Sequence, residues 1–134
     1  MIKDIIMEKV EDVAIAIIPE ENILQEPEWG VYLVNMKDDA LEGVLVSSNG
    51  YGNLAGRNVK TSTLRHFWEK IPGKEFVKIE LIEEKLFGIN NEFWVSFWNK
   101  GVLYDKRFVF VTESVVENNF TKVPVIEKRG VMIK

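Results

Sequence analysis

The stretch NNEFWVSFWNKGVLYDKRFVFV, residues 90–111, contains the clearest structural signal in the chain. Large apolar residues recur at every second position in both of its halves, which is the period of a β-strand, because neighbouring side chains on a strand point to opposite faces. The halves flank Asn99-Lys100-Gly101, and glycine tolerates the positive φ that a tight hairpin turn needs. The stretch therefore predicts an antiparallel β-hairpin.

The same period recurs on the N-terminal side of this hairpin. Strand-like runs lie at 13–18, 29–35, 41–48, 58–68 and 76–83, and with the two arms of the hairpin they make about seven strands. In the run at 76–83, strict alternation groups Val77, Ile79 and Leu81 on one face.

The spacing of these strands predicts the fold class. Parallel strands need crossover helices, and the chain has no room for them. We therefore expect one all-β domain over residues 1–134, an antiparallel two-sheet β-sandwich of immunoglobulin-like architecture. A flattened β-barrel is the other arrangement that fits the same strands.

Three segments fit more than one structure. The run LRHFWEKI (64–71) is also compatible with one or two helical turns, and the tail 120–134 either adds a short edge strand or lies across the sheet. The segment SSNGYGNLAGR (47–57) misses the spacing of a dinucleotide-binding loop by one residue and leads into a strand-like run instead of a helix. We expect it to be a turn that reverses the chain at residues 49–52.

The composition restricts the chemistry of the chain. It has no cysteine and a single histidine, His66, which leaves too few ligands for a zinc site. No serine lies in a nucleophile-elbow motif, and the neighbouring acids Glu20-Glu21 and Glu83-Glu84 would point to opposite faces of a strand. We therefore expect no catalytic residue, no metal and no cofactor, and hence a protein that is not an enzyme.

Three features indicate a cytoplasmic location. The absence of cysteine suits a reducing compartment, and the N-terminal segment is acidic without the apolar run of a signal peptide. The longest apolar run, VAIAII at 13–18, has six residues, far fewer than a membrane span requires. We expect a cytoplasmic protein without membrane contact.

Charge is unevenly distributed along the chain, whose net charge is −4. Residues 1–28 contain eight acidic and two basic residues, whereas residues 57–78 contain six basic and two acidic residues. A ring and several donors suited to a carboxylate or phosphate lie at the start of the basic stretch, namely Tyr51, Arg57, Arg65 and His66. We expect these four residues to bind an anionic ligand if the protein has one; the other interpretation is a mobile loop beside solvated surface charge.

The basic stretch 57–78 also suggests a nucleic-acid-associated accessory domain. Its basic residues are interleaved with the rings of His66, Phe67, Trp68 and Phe76, and single-strand binders use this combination for phosphate contact and base stacking. The net negative charge of the chain counts against this function.

The aromatic residues of the hairpin predict an interaction surface. Phe93 and Phe97 share one face of the first arm, while Trp94 and Trp98 share the other. Either the tail or a loop covers the tryptophan side, or that side is exposed, and Trp94, Trp98 and Tyr104 then contact a second copy or another protein. We expect a non-catalytic binding or protein-interaction module, with homodimerisation as one use of this surface.

Four strings extend this description to nearly the whole chain: LEGVLVSSNGYG (41–52), VKTSTLRHF (59–67), FGINNEFWVSFWNKGVLYDKRFVF (87–110) and EKRGVMIK (127–134). They resemble a family of small, uncharacterised bacterial proteins, some of which carry the label phenylalanyl-tRNA synthetase α subunit. A class II synthetase core is much longer and has an arginine-bearing ATP motif that is not recognisable here. The resemblance implies no activity and no catalytic residue.

Overall fold

The computed structural model of the chain describes residues 9–134, so residues 1–8 of the acidic stretch 1–28 lie outside the described residues. The described part contains ten β-strands and two short 3₁₀ helices. The strands are β1 (Val13–Glu21), β2 (Pro27–Asn35), β3 (Leu41–Leu54), β4 (Arg57–Lys60), β5 (Leu64–Ile71), β6 (Glu75–Ile82), β7 (Asn90–Asn99), β8 (Val102–Phe110), β9 (Thr121–Val123) and β10 (Lys128–Ile133). The 3₁₀ helices span Glu84–Gly88 and Glu117–Asn119.

The strands form two antiparallel sheets that pack face to face. Sheet 1 has the order β6-β2-β1-β10-β9. Sheet 2 has the order β4-β3-β7-β8, and β5 pairs with the part of β3 that β4 leaves free. The all-β sandwich is therefore confirmed in place of the flattened barrel. The strand order differs from that of immunoglobulin domains, because β1 lies in the middle of its sheet instead of at an edge.

The structure has more strands than the seven expected. The predicted strand 58–68 is divided at residues 61–63 into β4 and β5, and the tail contributes both β9 and β10. β9 is an edge strand, as expected of the tail, but β10 pairs with β1 inside sheet 1. The helical interpretation of 64–71 is wrong, because this segment is the strand β5 and pairs with β3.

The glycine-rich segment is mostly strand, so the expected reversal at residues 49–52 is also wrong. β3 continues to Leu54, and the chain reverses at Ala55 and Gly56, which both have positive φ. At Gly50 a Cβ atom would lie 3.0 Å from the Cδ1 atom of Ile89, tighter than most side-chain contacts. Gly50 therefore permits close packing inside the sheet, a use of glycine that has the same sequence signal as a turn.

The core lies between the two sheets, and the hairpin β7–β8 supplies its largest side chains. Phe93, Phe97, Phe108 and Phe110 are each no more than 1% exposed. Asn99 and Val102 are joined by a two-residue turn in which Lys100 and Gly101 both have positive φ. The predicted hairpin and its turn are confirmed.

The C-terminal tail covers the outer face of sheet 1. Ala14, Ala16 and Ile18 of β1 point away from sheet 2 but are still buried, together with Val123. The segment 125–126, which connects β9 to β10, packs against them. This explains why the run 13–18 is apolar at every position, since β1 is buried on both faces.

A β-bulge in β6 changes which of its side chains face the core. Val31 pairs with Glu80 and Tyr32 with Lys78, so Ile79 between them has no partner on β2. As a result Leu81 is 53% exposed although Ile79 is buried. The expected grouping of Leu81 with Ile79 is therefore wrong, because a bulge re-aims the side chains that follow it.

We expect Phe97→Ala to lower the free energy of unfolding by about 3–5 kcal/mol, the usual cost of removing a buried ring. Phe97 is fully buried and stacks on Tyr104. Phe67→Ala is the matched control, because Phe67 is 60% exposed and its removal should cost less than about 0.5 kcal/mol. Urea unfolding followed by circular dichroism measures both variants, and equal losses would contradict this placement of the core.

Candidate functional site

The outer face of sheet 2 exposes large apolar side chains. Trp94 and Trp98 on β7 are 45% and 47% exposed, because they alternate with Phe93, Val95 and Phe97, which point into the core. The exposed apolar residues of this face are Leu45, Phe67, Trp94, Trp98 and Leu103, and we call this set the aromatic face. Leu45 pairs with Phe67 across β3 and β5, and Trp98 pairs with Leu103 across β7 and β8.

The tryptophan side of the hairpin is thus exposed. Among the described residues the tail lies against sheet 1, so the interpretation in which the tail covers Trp94 and Trp98 is wrong. A β-bulge in β3 accommodates one of the rings: Gly43, at φ +55°, lies beneath Trp98, and a Cβ there would approach the Cδ1 atom of the indole to 3.3 Å. The backbone of β3 is therefore shaped to the ring that it supports.

Two arginines flank Trp94 on this face. Across the sheet, Arg65 pairs with Ser47, Ser47 with Trp94, and Trp94 with Arg107. The Nε atom of Arg107 lies 3.1 Å from the Oε1 atom of Glu92, and the side chain is half-exposed. Trp94 therefore belongs to a cross-strand row that contains two arginines, and a guanidinium group can bind a carboxylate.

Tyr104 does not belong to the aromatic face. It pairs with Phe97 and therefore lies on the inner side of the hairpin, with ring centroids 5.4 Å apart and ring planes at 14°. Of the three predicted interface residues, the structure brings Trp94 and Trp98 to one surface and places Tyr104 on the opposite one. The pairing register of the hairpin determines this, and the sequence alone did not assign that register.

The four residues predicted to bind an anion, Tyr51, Arg57, Arg65 and His66, are not brought together. The β3 partners of Arg57 and Arg65 are Leu54 and Ser47, which puts the two arginines about 23 Å apart at roughly 3.3 Å per strand residue. Arg65 and His66 are neighbours on β5 and so point to opposite faces of sheet 2. Tyr51 pairs with Lys60 near the hairpin turn, away from both. No single anion site forms from this set.

His66 instead belongs to a polar cluster between the sheets. Its Nε2 atom lies 2.8 Å from the Oε1 atom of Glu80 on β6, and the Ser48 hydroxyl donates to the same oxygen, also at 2.8 Å. A cavity of about 220 Å³ lies beside Ser48 and Glu80 and is also lined by Thr61 and Ser62, where β4 gives way to β5. The cluster joins β3 and β5 of sheet 2 to β6 of sheet 1.

The geometry of this cluster suits a structural contact better than nucleophilic catalysis. A serine nucleophile needs histidine as its hydrogen-bond partner, with the acid orienting that histidine. Here Ser48 and His66 both bond to Glu80 instead. Sequence reasoning missed Glu80, because only the bulge at Ile79 turns its side chain inward.

An ionised cluster lies on the outer face of sheet 1. The Tyr32 hydroxyl donates to the Oε2 atom of Glu20 at 2.6 Å, and Lys78 forms ion pairs with Glu20 and Glu28. Burial tends to raise the pKa of Glu20, but the hydrogen bonds from Lys78 and Tyr32 outweigh it and hold that pKa below its ordinary value. Burial and the nearby Glu20 carboxylate raise the pKa of the Tyr32 phenol.

We expect Glu20→Gln to lower the free energy of unfolding near pH 7 and to cost progressively less on acidification. A carboxyl whose folded pKa is lowered stabilises the fold fully above its unfolded pKa of 4.5 and loses that contribution as the pH falls through the folded pKa. Chemical denaturation at several pH values between about 7 and 3 measures the difference. Glu21→Gln, at the exposed neighbouring position, is the control. A cost for Glu20→Gln that is constant over this range would contradict the prediction.

No family model, no curated protein and no solved structure matches this chain. The resemblance to small bacterial proteins therefore stays a prediction, and the function has to be inferred from the geometry.

Two features are absent from the described residues: a membrane-spanning helix and a metal-binding group of side chains. No helix between residues 9 and 134 is long and apolar enough to cross a membrane. Over the same range, no group of three or more His, Cys, Asp or Glu side chains is placed to hold a metal ion.

Proposed function

We propose that the protein is a non-catalytic protein-interaction module of the cytoplasm, and that its aromatic face binds a protein partner. The exposure of Trp94 and Trp98 carries this proposal: two large rings lie four residues apart on β7, on the sheet face that the described tail leaves open. Tryptophan is among the residues that contribute most to binding at protein interfaces, and contiguous exposed apolar patches mark interaction sites.

The charges beside the aromatic face favour a partner segment that combines apolar and acidic residues. Arg65 is exposed and forms no ion pair with any residue from 9 to 134. It shares the outer face with Phe67, two positions further along β5. A segment whose apolar side chains cover Trp94 and Trp98 would bring an Asp or Glu within reach of Arg65, and guanidinium–carboxylate pairs add specificity through bidentate geometry.

Two other observations support the remaining parts of the proposal. A chain without cysteine suits the reducing conditions of the cytoplasm. Ser48 and His66 both bond to Glu80 and not to each other, an arrangement that joins the two sheets and supports the non-catalytic part of the proposal.

Nucleic-acid binding is the second candidate, and the neighbouring exposure of Arg65 and Phe67 favours it, since a ring and a cation on one face can stack a base and hold a phosphate. Two other residues of the basic stretch 57–78, His66 and Lys78, do not join them. His66 turns inward to Glu80, and Lys78 is paired with acids on the other sheet. A protein partner therefore explains the exposure of more residues of the aromatic face than a nucleic acid does.

Selection from a random peptide display library, with the protein as bait, tests the proposed function. We expect the enriched peptides to combine aromatic or aliphatic residues with Asp or Glu. Trp94→Ser combined with Trp98→Ser should weaken binding of a synthetic enriched peptide more than about tenfold, because interface tryptophans commonly contribute 2 kcal/mol or more. Phe76→Ser is the control, since Phe76 is exposed on the outer face of sheet 1.

Two results would overturn this assignment. An enriched peptide that binds the double tryptophan variant as tightly as the wild type does would place the site elsewhere. Fluorescence anisotropy of a labelled oligothymidylate tests the second candidate, nucleic-acid binding. We expect no binding at low salt. Binding that Arg65→Glu and Phe67→Ser both abolish would favour a nucleic-acid partner.

A further inference from the structure

β8 is an open edge of sheet 2. It pairs with β7 from Val102 to Phe110, and no other strand of the described chain pairs with it. The backbone N–H and C=O groups on its free side are therefore unpaired along a strand of nine residues. Such an edge is a template for another strand.

The other edges of the sandwich are short, bulged or joined to the opposite sheet. β9 has three residues and β4 has four. β6 contains the bulge at Ile79, and β5 is joined to β6 by the contact between His66 and Glu80. Within residues 9–134, β8 is thus the long edge without these three protections, and the charged residues Asp105, Lys106 and Arg107 at its centre are the feature that restricts which strand can pair with it.

The side chains of β8 are self-complementary in one register. When two copies pair antiparallel about a twofold axis, the register that aligns all nine residues puts Lys106 on the axis. In that register Asp105 lies opposite Arg107 of the second copy, twice per dimer, and Leu103 lies opposite Val109. A shift of two residues in either direction replaces Lys106 on the axis by Asp105 or Arg107, so like charges still meet there, and both pairs between Asp105 and Arg107 are lost.

Asp105 and Arg107 can form an ion pair between two copies without breaking an ion pair within one copy. Asp105 forms no ion pair with another described residue, and Arg107 is half-exposed with its Nε atom on Glu92. A guanidinium has five N–H donors, so Arg107 can bind Asp105 of a second copy and keep Glu92. Lys106 is the unfavourable element, because two ammonium groups would meet at the axis; its Nζ atom lies 5.1 Å from the ring centroid of Phe108.

We propose that the protein forms a homodimer in which two β8 strands pair antiparallel with Lys106 on the twofold axis. Sheet 2 of one copy and sheet 2 of the other then form one continuous sheet, and both aromatic faces lie on the same side of it. This goes beyond the proposed function and rests on the backbone edge and the charged residues of β8, with Leu103 the one residue that belongs to both surfaces. The paired edge is smaller than a standard protein interface, so we expect a dissociation constant in the range of about 1–100 μM.

Sedimentation velocity across this concentration range tests the charge register. Asp105→Arg should weaken the dimer at least about tenfold, because it places like charges opposite each other. Combining it with Arg107→Asp should restore the dissociation constant to within about threefold of the wild type, because the opposite charges are exchanged. Lys106→Thr should tighten the dimer. A wild-type protein that is monomeric throughout, or a double variant as weak as Asp105→Arg, would overturn the proposal, with circular dichroism confirming that each variant is folded.

A single introduced cysteine tests the axis directly, since the chain has none. Residues directly opposite in an antiparallel pair have Cα atoms about 4.5–5.5 Å apart, which a disulfide can bridge. Oxidised Lys106→Cys should therefore give a covalent dimer. Lys100→Cys, in the exposed turn, would face residue 112 of the second copy and should stay monomeric. Equal cross-linking of the two variants would contradict the register.

The two proposals fail separately. A dimer that tolerates Trp94→Ser and Trp98→Ser, together with no enriched peptide, would overturn only the proposed function. A dimer that is lost in the tryptophan variants but unchanged in the charge variants would show that the aromatic face is the dimer contact, and would overturn the pairing of β8.

Discussion

Burial of four phenylalanines by one hairpin is the constraint on which the rest of the structure depends. Phe93, Phe97, Phe108 and Phe110 fill the space between the sheets, and their placement fixes both the register and the facing of β7 and β8. Because side chains alternate along a strand, the rings between them must lie on the other side. The exposure of Trp94 is thus a consequence of the core, and it persists only because nothing in the described chain covers that side.

The fold class could be predicted from the sequence because most strands show a regular alternation of apolar and polar residues. Regular alternation and the turn at residues 99–101 were enough to identify an antiparallel all-β sandwich. The errors fall where a strand departs from regularity. The bulge at Ile79 reversed the facing of Leu81, and Gly50 was interpreted as a turn although it allows close packing against Ile89. A single extra residue in a strand leaves no recognisable mark in composition or period.

The candidate sites show the same limit more strongly. Trp94 and Trp98 were identified from their position in the alternation, which needs no knowledge of other strands. The predicted anion site required Arg57 and Arg65 to converge, but they lie along one sheet edge at different pairing positions. Glu80 could not be connected to His66 from the sequence, because their contact joins two sheets through the bulge. Local alternation is readable in a sequence, whereas contacts between sheets depend on register and on strand order.

The C-terminal tail explains these observations together, because it packs on sheet 1 and leaves sheet 2 uncovered. By adding β10 and β9 to sheet 1 and folding residues 125–126 over the outer face, the chain protects one sheet at both an edge and a face. The tail covers neither an edge nor the outer face of sheet 2. The edge strand β8 and the exposed rings of Trp94 and Trp98 therefore both belong to the hairpin β7–β8. Long unprotected edges and contiguous exposed rings are each unfavourable for an isolated molecule in water. Their occurrence together on the hairpin that forms the core is therefore more consistent with a surface that is covered in the working protein than with one that faces solvent.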